Sequence, residues 1–309
     1  MKCLVAVVGP TAVGKSRLGI SIARRFNGEI VNADSRQIYK LMDIGTAKPD
    51  AAERGEVPHH MLDIILPDQP YNLAIYQESA CKCIADIQEA GRLPVLVGGS
   101  GQYVWSVLEG WRIPAVAPDH EFREGMQSRA GSEGISSLYR ELEMIDPVSA
   151  ARISPNNLRR IVRALEIYHI GGILASSLRE KRGLPYPVLI IGLTAGRERL
   201  YSLIDRRVER MVDAGLMQEV KNLLEMGYHS GLSSMYSLGY RQMADHLAGK
   251  TGLQEAVQTI KYETHRYARN QYAWFRPSDD RIRWFDTDDG TGDKSMDATL
   301  RFLETCGQA

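Results

Sequence analysis

The stretch CLVAVVGPTAVGKSRLGISIARRF, residues 3–26, decides the fold. Cys3 to Val8 is an unbroken apolar run rich in valine, as a strand buried on both faces of a parallel sheet requires. Ser16 to Phe26 carries Leu18, Ile22 and Phe26 at four-residue spacing, one stripe of a helix. Between them stands Gly9-Pro10-Thr11-Ala12-Val13-Gly14-Lys15-Ser16, which matches G-x-x-x-x-G-K-[ST] with the strand before it and the helix after it that the motif needs. Glycines let such a loop curl until its N–H groups converge on phosphate oxygens, and the helix N-terminus adds the positive end of its dipole. Lys15 neutralises phosphate charge, and the Ser16 hydroxyl is placed to hold Mg2+. The obvious reading is an ATP-binding kinase or other nucleotide-binding protein, although the octet specifies only a phosphate and not the compound that carries it.

Outward from this loop, strands alternate with helices. Glu29 to Ala33 is a second strand ending at Asp34, Met61 to Leu66 a third, Leu73 to Ala90 a helix, and Leu93 to Val97 a fourth strand stopped by Gly98-Gly99. This alternation implies right-handed βαβ units, hence an α/β fold with a parallel, P-loop NTPase-like sheet flanked by helices. The rhythm stops after Gly110. Residues 115–187 hold only helical patterns, broken by Gly131, Gly134, Pro147, Pro155 and Gly171-Gly172, before Val188 to Leu193 resumes the sheet. The predicted organisation is an α/β core over 1–114, a mainly helical insertion over 115–187, and a return to the core with C-terminal helices over 188–309.

The 309 residues allow two domains, and 44% hydrophobic with 25% charged residues excludes a disordered or fibrous chain. Thirty-eight basic residues balance thirty-eight acidic ones, so no global field favours nucleic acid or membrane. The four cysteines form no CxxC pair, and reduced thiols are expected. The N-terminal apolar run is too short for a signal peptide, and no stretch could span a membrane, which predicts a soluble, cytoplasmic protein. Locally the charge is uneven. Arg152 to Arg182 holds seven basic residues against two acidic, with Arg159 and Arg163 on one helical face, and Lys261, His265 and Arg269 repeat that spacing later. Such stripes suit RNA phosphates, or form ordinary solvated helix surfaces.

A nucleotide-hydrolysing protein usually ends a second apolar strand in an Asp that supports Mg2+. Here Leu93 to Val97 runs into Gly98-Gly99-Ser100-Gly101, and the carboxylate at a strand tip is Asp34. Ligands of doubly wound sheets lie beyond the carboxyl ends of the strands, so Asp34, Ser100 and the loop Gly9 to Ser16 can meet in one cleft. Asp34 is either a turn residue or a carboxylate facing that cleft, and Ser100 either caps the next helix or contacts a substrate.

GPTAVGKS, NADSRQIY at Asn32 to Tyr39, GTAKP at Gly45 to Pro49, GGSGQY at Gly98 to Tyr103, RIVRALEIY at Arg160 to Tyr168 and YARNQYAWFR at Tyr267 to Arg276 occur in this order. Together they resemble the tRNA dimethylallyltransferase (tRNA isopentenyl transferase) family, from residue 4 to about 285. The resemblance implies that the loop Gly9 to Ser16 grips dimethylallyl diphosphate, whose prenyl group moves to N6 of the adenosine 3′ to the anticodon, position 37 of tRNA. It implies Asp34 as general base, Ser100 as a hydroxyl near the acceptor and Lys15 as a catalytic charge. It implies Asp34, Ser35, Arg36, Gln37, Ser100, Arg159, Arg160, Ile161, Val162, Arg163, Arg269 and Gln271 as contacts for the anticodon stem-loop. Mg2+ is the expected cofactor and a monomer the expected state. The chain departs from the family pattern at Ser100, where Thr is usual, and at Arg159, where Gln is usual. A small-molecule kinase, a nucleotide-driven switch and a prenyltransferase acting on free AMP are the competing readings.

Overall fold

The computed structural model describes residues 2–114, 116–179, 181–287 and 291–307. Its sheet has six strands, all parallel, in the order β3-β2-β4-β1-β5-β6. These are β1 (Leu4–Val8), β2 (Gly28–Asn32), β3 (His59–His60), β4 (Leu93–Val97), β5 (Val188–Thr194) and β6 (Ile282–Asp286). Every residue of β1, β2 and β4 is buried, the condition that makes their sequences read as continuous apolar runs. The third strand lies earlier in the chain than Met61 to Leu66. Met61 and Asp63 have φ of 61° and 52°, which turns the backbone out of the extended form, and only Ile65 makes an isolated bridge, to Tyr39.

The helices are α1 (Lys15–Arg25), α2 (Ala51–Glu56), α3 (Leu73–Glu89), α4 (Gly101–Leu108), α5 (His120–Glu133), α6 (Ile135–Ile145), α7 (Pro147–Ala150), α8 (Leu158–Gly171), α9 (Arg197–Asp213), α10 (Leu216–Glu225), α11 (Tyr240–Leu247), α12 (Leu253–Gln271) and α13 (Thr291–Gly307). The chain forms two compact units, Met1–Leu108 with Leu184–Ala309, and Glu109–Gly183. Among the described residues no helix is long and apolar enough to cross a membrane.

The first unit contains the sheet, with the loops after β1, β2 and β4 at its carboxyl edge. The second unit is helical, and its two ends are stitched together. Lys181 Nζ donates to Glu109 Oε1 at 2.8 Å, and the Gly183 N–H donates to the Glu109 carbonyl at 3.0 Å. That pairing puts the unit's boundaries at 109 and 183. Inside it, Leu138, Leu142, Ile161 and Leu165 are fully buried. Beside them the fully buried Glu166 carboxylate accepts from Arg123 (2.8 Å), Arg163 (2.5 Å) and the Asp119 N–H (2.9 Å). Burial alone would raise this carboxyl, but the hydrogen bonds from Arg123 and then Arg163 hold it at about 2.

Candidate active site

The phosphate loop leaves β1 through Gly9, whose φ is 135° and whose Cβ, if present, would lie 2.2 Å from the Leu193 carbonyl oxygen. Only glycine lets the loop pass this close to β5. Ala12 (φ 70°) and Gly14 (φ 87°) then turn the chain through left-handed conformations into α1, a geometry that gathers N–H groups toward an anion. Lys15 folds back so that Nζ donates to the Pro10 carbonyl at 2.7 Å.

Asp34 lies two residues past the end of β2. The sequence left a turn and a cleft-facing carboxylate as alternatives, and the structure has both. Oδ1 accepts the Arg36 N–H at 2.9 Å, closing an Asx turn, and Oδ2 has no partner among the described residues. The turn is fastened to the loop after β4. Ser100 Oγ accepts the Ser35 N–H at 2.9 Å and donates to Ser35 Oγ at 3.2 Å. Tyr267 lies beside this turn, and burial raises its phenol above the ordinary range, with Asp34 adding to the effect.

Two cavities meet at these residues. A narrow one of about 60 Å3 is lined by Thr11, Lys15, Ser16, Asp34, Arg207 and Tyr267, among others. A wider one of about 250 Å3 shares Thr11, Asp34, Arg207 and Tyr267 and adds an apolar wall of Ile204, Val208, Met211 and Ile260. Asp34 therefore stands where the two join. The narrow cavity is short of negative charge. Burial, then the neighbouring Arg207, lowers the Lys15 amine to about 7, with Asp34 pulling the other way. Burial likewise lowers the Arg207 guanidinium. Two cations with one carboxylate between them, at the mouth of a phosphate loop, form a site that an anion would relieve.

His59 supplies a further sign of a polar occupant. Its Nδ1 lies 2.8 Å from the Val57 carbonyl oxygen, which makes it the donor, while Nε2 is buried without a partner and His59 lines the narrow cavity. For Mg2+ the donor set is sparse: among the described residues no three His, Cys, Asp or Glu cluster to hold an ion. A metal carried mainly by substrate phosphate and water, as Mg2+ commonly is, would need only one protein oxygen, and the Ser16 side chain at the narrow cavity could supply it.

The residues predicted to contact RNA separate into two groups. Arg159, Arg160 and Arg269 are exposed, and Ser35 and Arg36 line the wide cavity. Ile161 is fully buried and Val162 nearly so. Gln37 is buried, with Nε2 donating to the Thr46 and Ala47 carbonyls. Arg163 is committed to Glu166 and to the Val116 carbonyl. Gln271 is a strut: Oε1 accepts the Thr11 N–H at 2.8 Å and Nε2 donates to the Gly99 carbonyl at 2.9 Å. A Cβ at Gly99 would lie 2.3 Å from that Nε2, so this glycine makes room for the strut. Two of these site residues escaped the sequence reading. Arg207 borders the buried stripe Leu200, Ile204 and Val208 of α9, and a cation next to an apolar stripe was the available signal. Tyr267 read as an aromatic beside the basic stripe, able to stack on a base, or as core, and not as a neighbour of Asp34.

The IPP transferase family matches residues 37–278. A tRNA dimethylallyltransferase of Roseiflexus castenholzii is 52% identical over 273 residues, 88% of this chain and 89% of the relative. The crystal structure of a full-length tRNA isopentenylpyrophosphate transferase from Bacillus halodurans superposes with a TM-score of 0.74 at 40% identity, covering 100% of this chain and 99% of that one. A eukaryotic dimethylallyltransferase caught acting on tRNA gives a TM-score of 0.85 at 26% identity, over 99% of this chain and 80% of that one.

Proposed function

The chain belongs to the IPP transferase family, and from that premise we propose that it transfers the dimethylallyl group of dimethylallyl diphosphate to N6 of adenosine 37 in tRNA. The observation that carries this reading is the position of Asp34, a carboxylate with one unengaged oxygen where an anion-seeking cavity opens into a wider, partly apolar one.

The chemistry follows from these parts. An exocyclic adenine amine is a weak nucleophile, because its lone pair is delocalised into the ring. An allylic diphosphate compensates by ionising readily: the C1–O bond breaks and its electron pair leaves with the diphosphate. Lys15, Arg207 and the loop N–H groups stabilise that charge as it develops. The N6 lone pair forms the new C–N bond at C1, and Asp34 takes the proton that N6 must lose. Mg2+, held by Ser16 with substrate oxygens and water, would add neutralising charge on the leaving group. The apolar wall of the wide cavity keeps water from the reactive prenyl carbon, and Ser100 fixes the turn that presents Asp34. An adenosine in an anticodon loop has to leave its stack to reach this depth. The same reading takes the protein as a cytoplasmic monomer.

The test is to incubate the purified protein with labelled dimethylallyl diphosphate and, separately, tRNA, free AMP and ATP. Label is expected in tRNA alone. Label in AMP would mean a free-nucleotide prenyltransferase, and turnover of ATP would restore the kinase reading.

A further inference from the structure

We propose that Tyr236 is a stacking platform for a base next to the target adenosine, holding the RNA at the rim of the wide cavity; the proposal rests on the tRNA reading above. Tyr236 is 60% exposed, yet Ser234 and Met235 before it are fully buried and Ser237 after it is 4% exposed. The turn is pinned on both sides. Ser234 Oγ donates to the Pro67 carbonyl at 2.7 Å, Ser237 Oγ donates to the Ser234 carbonyl at 2.5 Å, and Arg36 Nη1 donates to the Ser233 carbonyl at 3.0 Å. The ring is thus an exposed aromatic on an anchored backbone, with little conformational freedom left to lose on binding.

A single exposed aromatic is ordinary on a protein surface. This one differs in its place, since it lines the wide cavity together with Asp34, Ser35 and Arg36. The apolar wall deeper in that cavity already suits a five-carbon chain, so Tyr236 is not needed there. Extruding an adenosine strips a stacking partner from each neighbouring base, and an aromatic face at the rim replaces what one neighbour has lost. The Tyr236 hydroxyl has no partner among the described residues, which leaves the ring as its working part.

The experiment measures steady-state prenyl transfer to an anticodon stem-loop RNA by the wild type, Tyr236→Ala and Tyr236→Phe. It uses the intact RNA and two RNAs with an abasic nucleotide on one or the other side of the adenosine. Tyr236→Ala is expected to raise KM for the RNA roughly 5- to 100-fold, the usual worth of one stacked base, while kcat and the affinity for dimethylallyl diphosphate stay within about twofold. Tyr236→Phe should keep wild-type KM. One abasic RNA should raise the wild-type KM similarly and add nothing further in Tyr236→Ala, because both changes remove the same contact. The salt dependence of binding should be unchanged, as no phosphate contact is lost. The proposal is overturned if Tyr236→Ala leaves KM within about twofold, or if its effect multiplies with both abasic sites. Failure of the wild type to prenylate the RNA at all would overturn the functional reading itself, a separate outcome.

Discussion

Asp34 performs two tasks with one carboxylate, and its oxygens divide them: Oδ1 closes the turn to Arg36, while Oδ2 is the one available to a substrate proton. An amide oxygen can close the same turn but cannot take a proton. Asp34→Asn should therefore lower kcat about 10²- to 10⁴-fold with both substrate affinities nearly unchanged, measured by single-turnover transfer alongside the two binding constants. A collapse of RNA affinity with the chemical step intact would assign Asp34 to holding the adenine. Arg207 offers a complementary case. It reaches Thr11 Oγ1 from α9 at 3.4 Å, and its charge both lowers the Lys15 amine and faces the narrow cavity. Arg207→Gln should weaken the binding of inorganic diphosphate by roughly 10- to 100-fold, about the worth of one hydrogen bond to a charged group, as read by titration calorimetry. An unchanged dissociation constant would remove Arg207 from the site.

Among the elements, α12 has two faces four residues apart in period and different in task. The stripe Ile260, Thr264, Tyr267 and Gln271 lines the cavities. The neighbouring stripe Lys261, His265 and Arg269, which reads as an RNA-binding face, turns toward α9: Lys261 pairs with Glu209, His265 with Asp205, and Arg269 bonds the Tyr201 hydroxyl. A helix of 3.6 residues per turn separates the two stripes by about 100°, and only packing decides which one meets the site. In the helical unit, Glu166 ties α5 to α8. Its folded pKa of about 2 lies below the ordinary value of 4.5, so its stabilisation is complete above about pH 5 and is lost as the pH falls toward 2. The amount at stake is of order 3 kcal/mol. The protection of α5 and α8 amides, taken relative to the intrinsic exchange rate at each pH, should fall as the pH drops through that window. Glu166→Gln should show lower protection at neutral pH and lose most of its pH dependence; a variant whose protection keeps that dependence would assign the effect to other carboxylates.

For the whole molecule, formal neutrality hides a division between engaged and available cations. Arg163 is spent on Glu166, whereas the side chains of Arg159 and Arg160 have no ion pair among the described residues. Replacing Arg159 and Arg160 together by Glu should weaken tRNA binding and flatten its salt dependence by roughly one slope unit per lost phosphate contact, with diphosphate affinity and melting temperature preserved. Arg163→Glu should instead lower the melting temperature, because it sets a charge against a buried carboxylate. Filter binding across a salt series and thermal melts distinguish the two, and equal behaviour of both variants would show that the exposed pair is structural as well.

What the sequence determined by itself is local and dense. The apolar strands, the octet Gly9 to Ser16 and the carboxylate at the tip of β2 are written in contiguous residues, since a strand buried on both faces and a loop that folds around a phosphate each impose their composition directly. The ordered blocks carried the family. Tertiary structure alone decided which polar side chains are spent internally and which remain available. Gln271 and Arg163 sit in motif segments beside exposed residues, but one bridges Thr11 and Gly99 across more than 170 positions of chain and the other neutralises a buried carboxylate. Arg207 and Tyr267 reach the site from helices far along the chain; Arg207 belongs to no quoted motif, and Tyr267 opens the block YARNQYAWFR without that block assigning it a place in the site. Helical periodicity tells which residues share a face; which face meets the phosphate loop depends on packing between elements distant in sequence, and no local pattern encodes that.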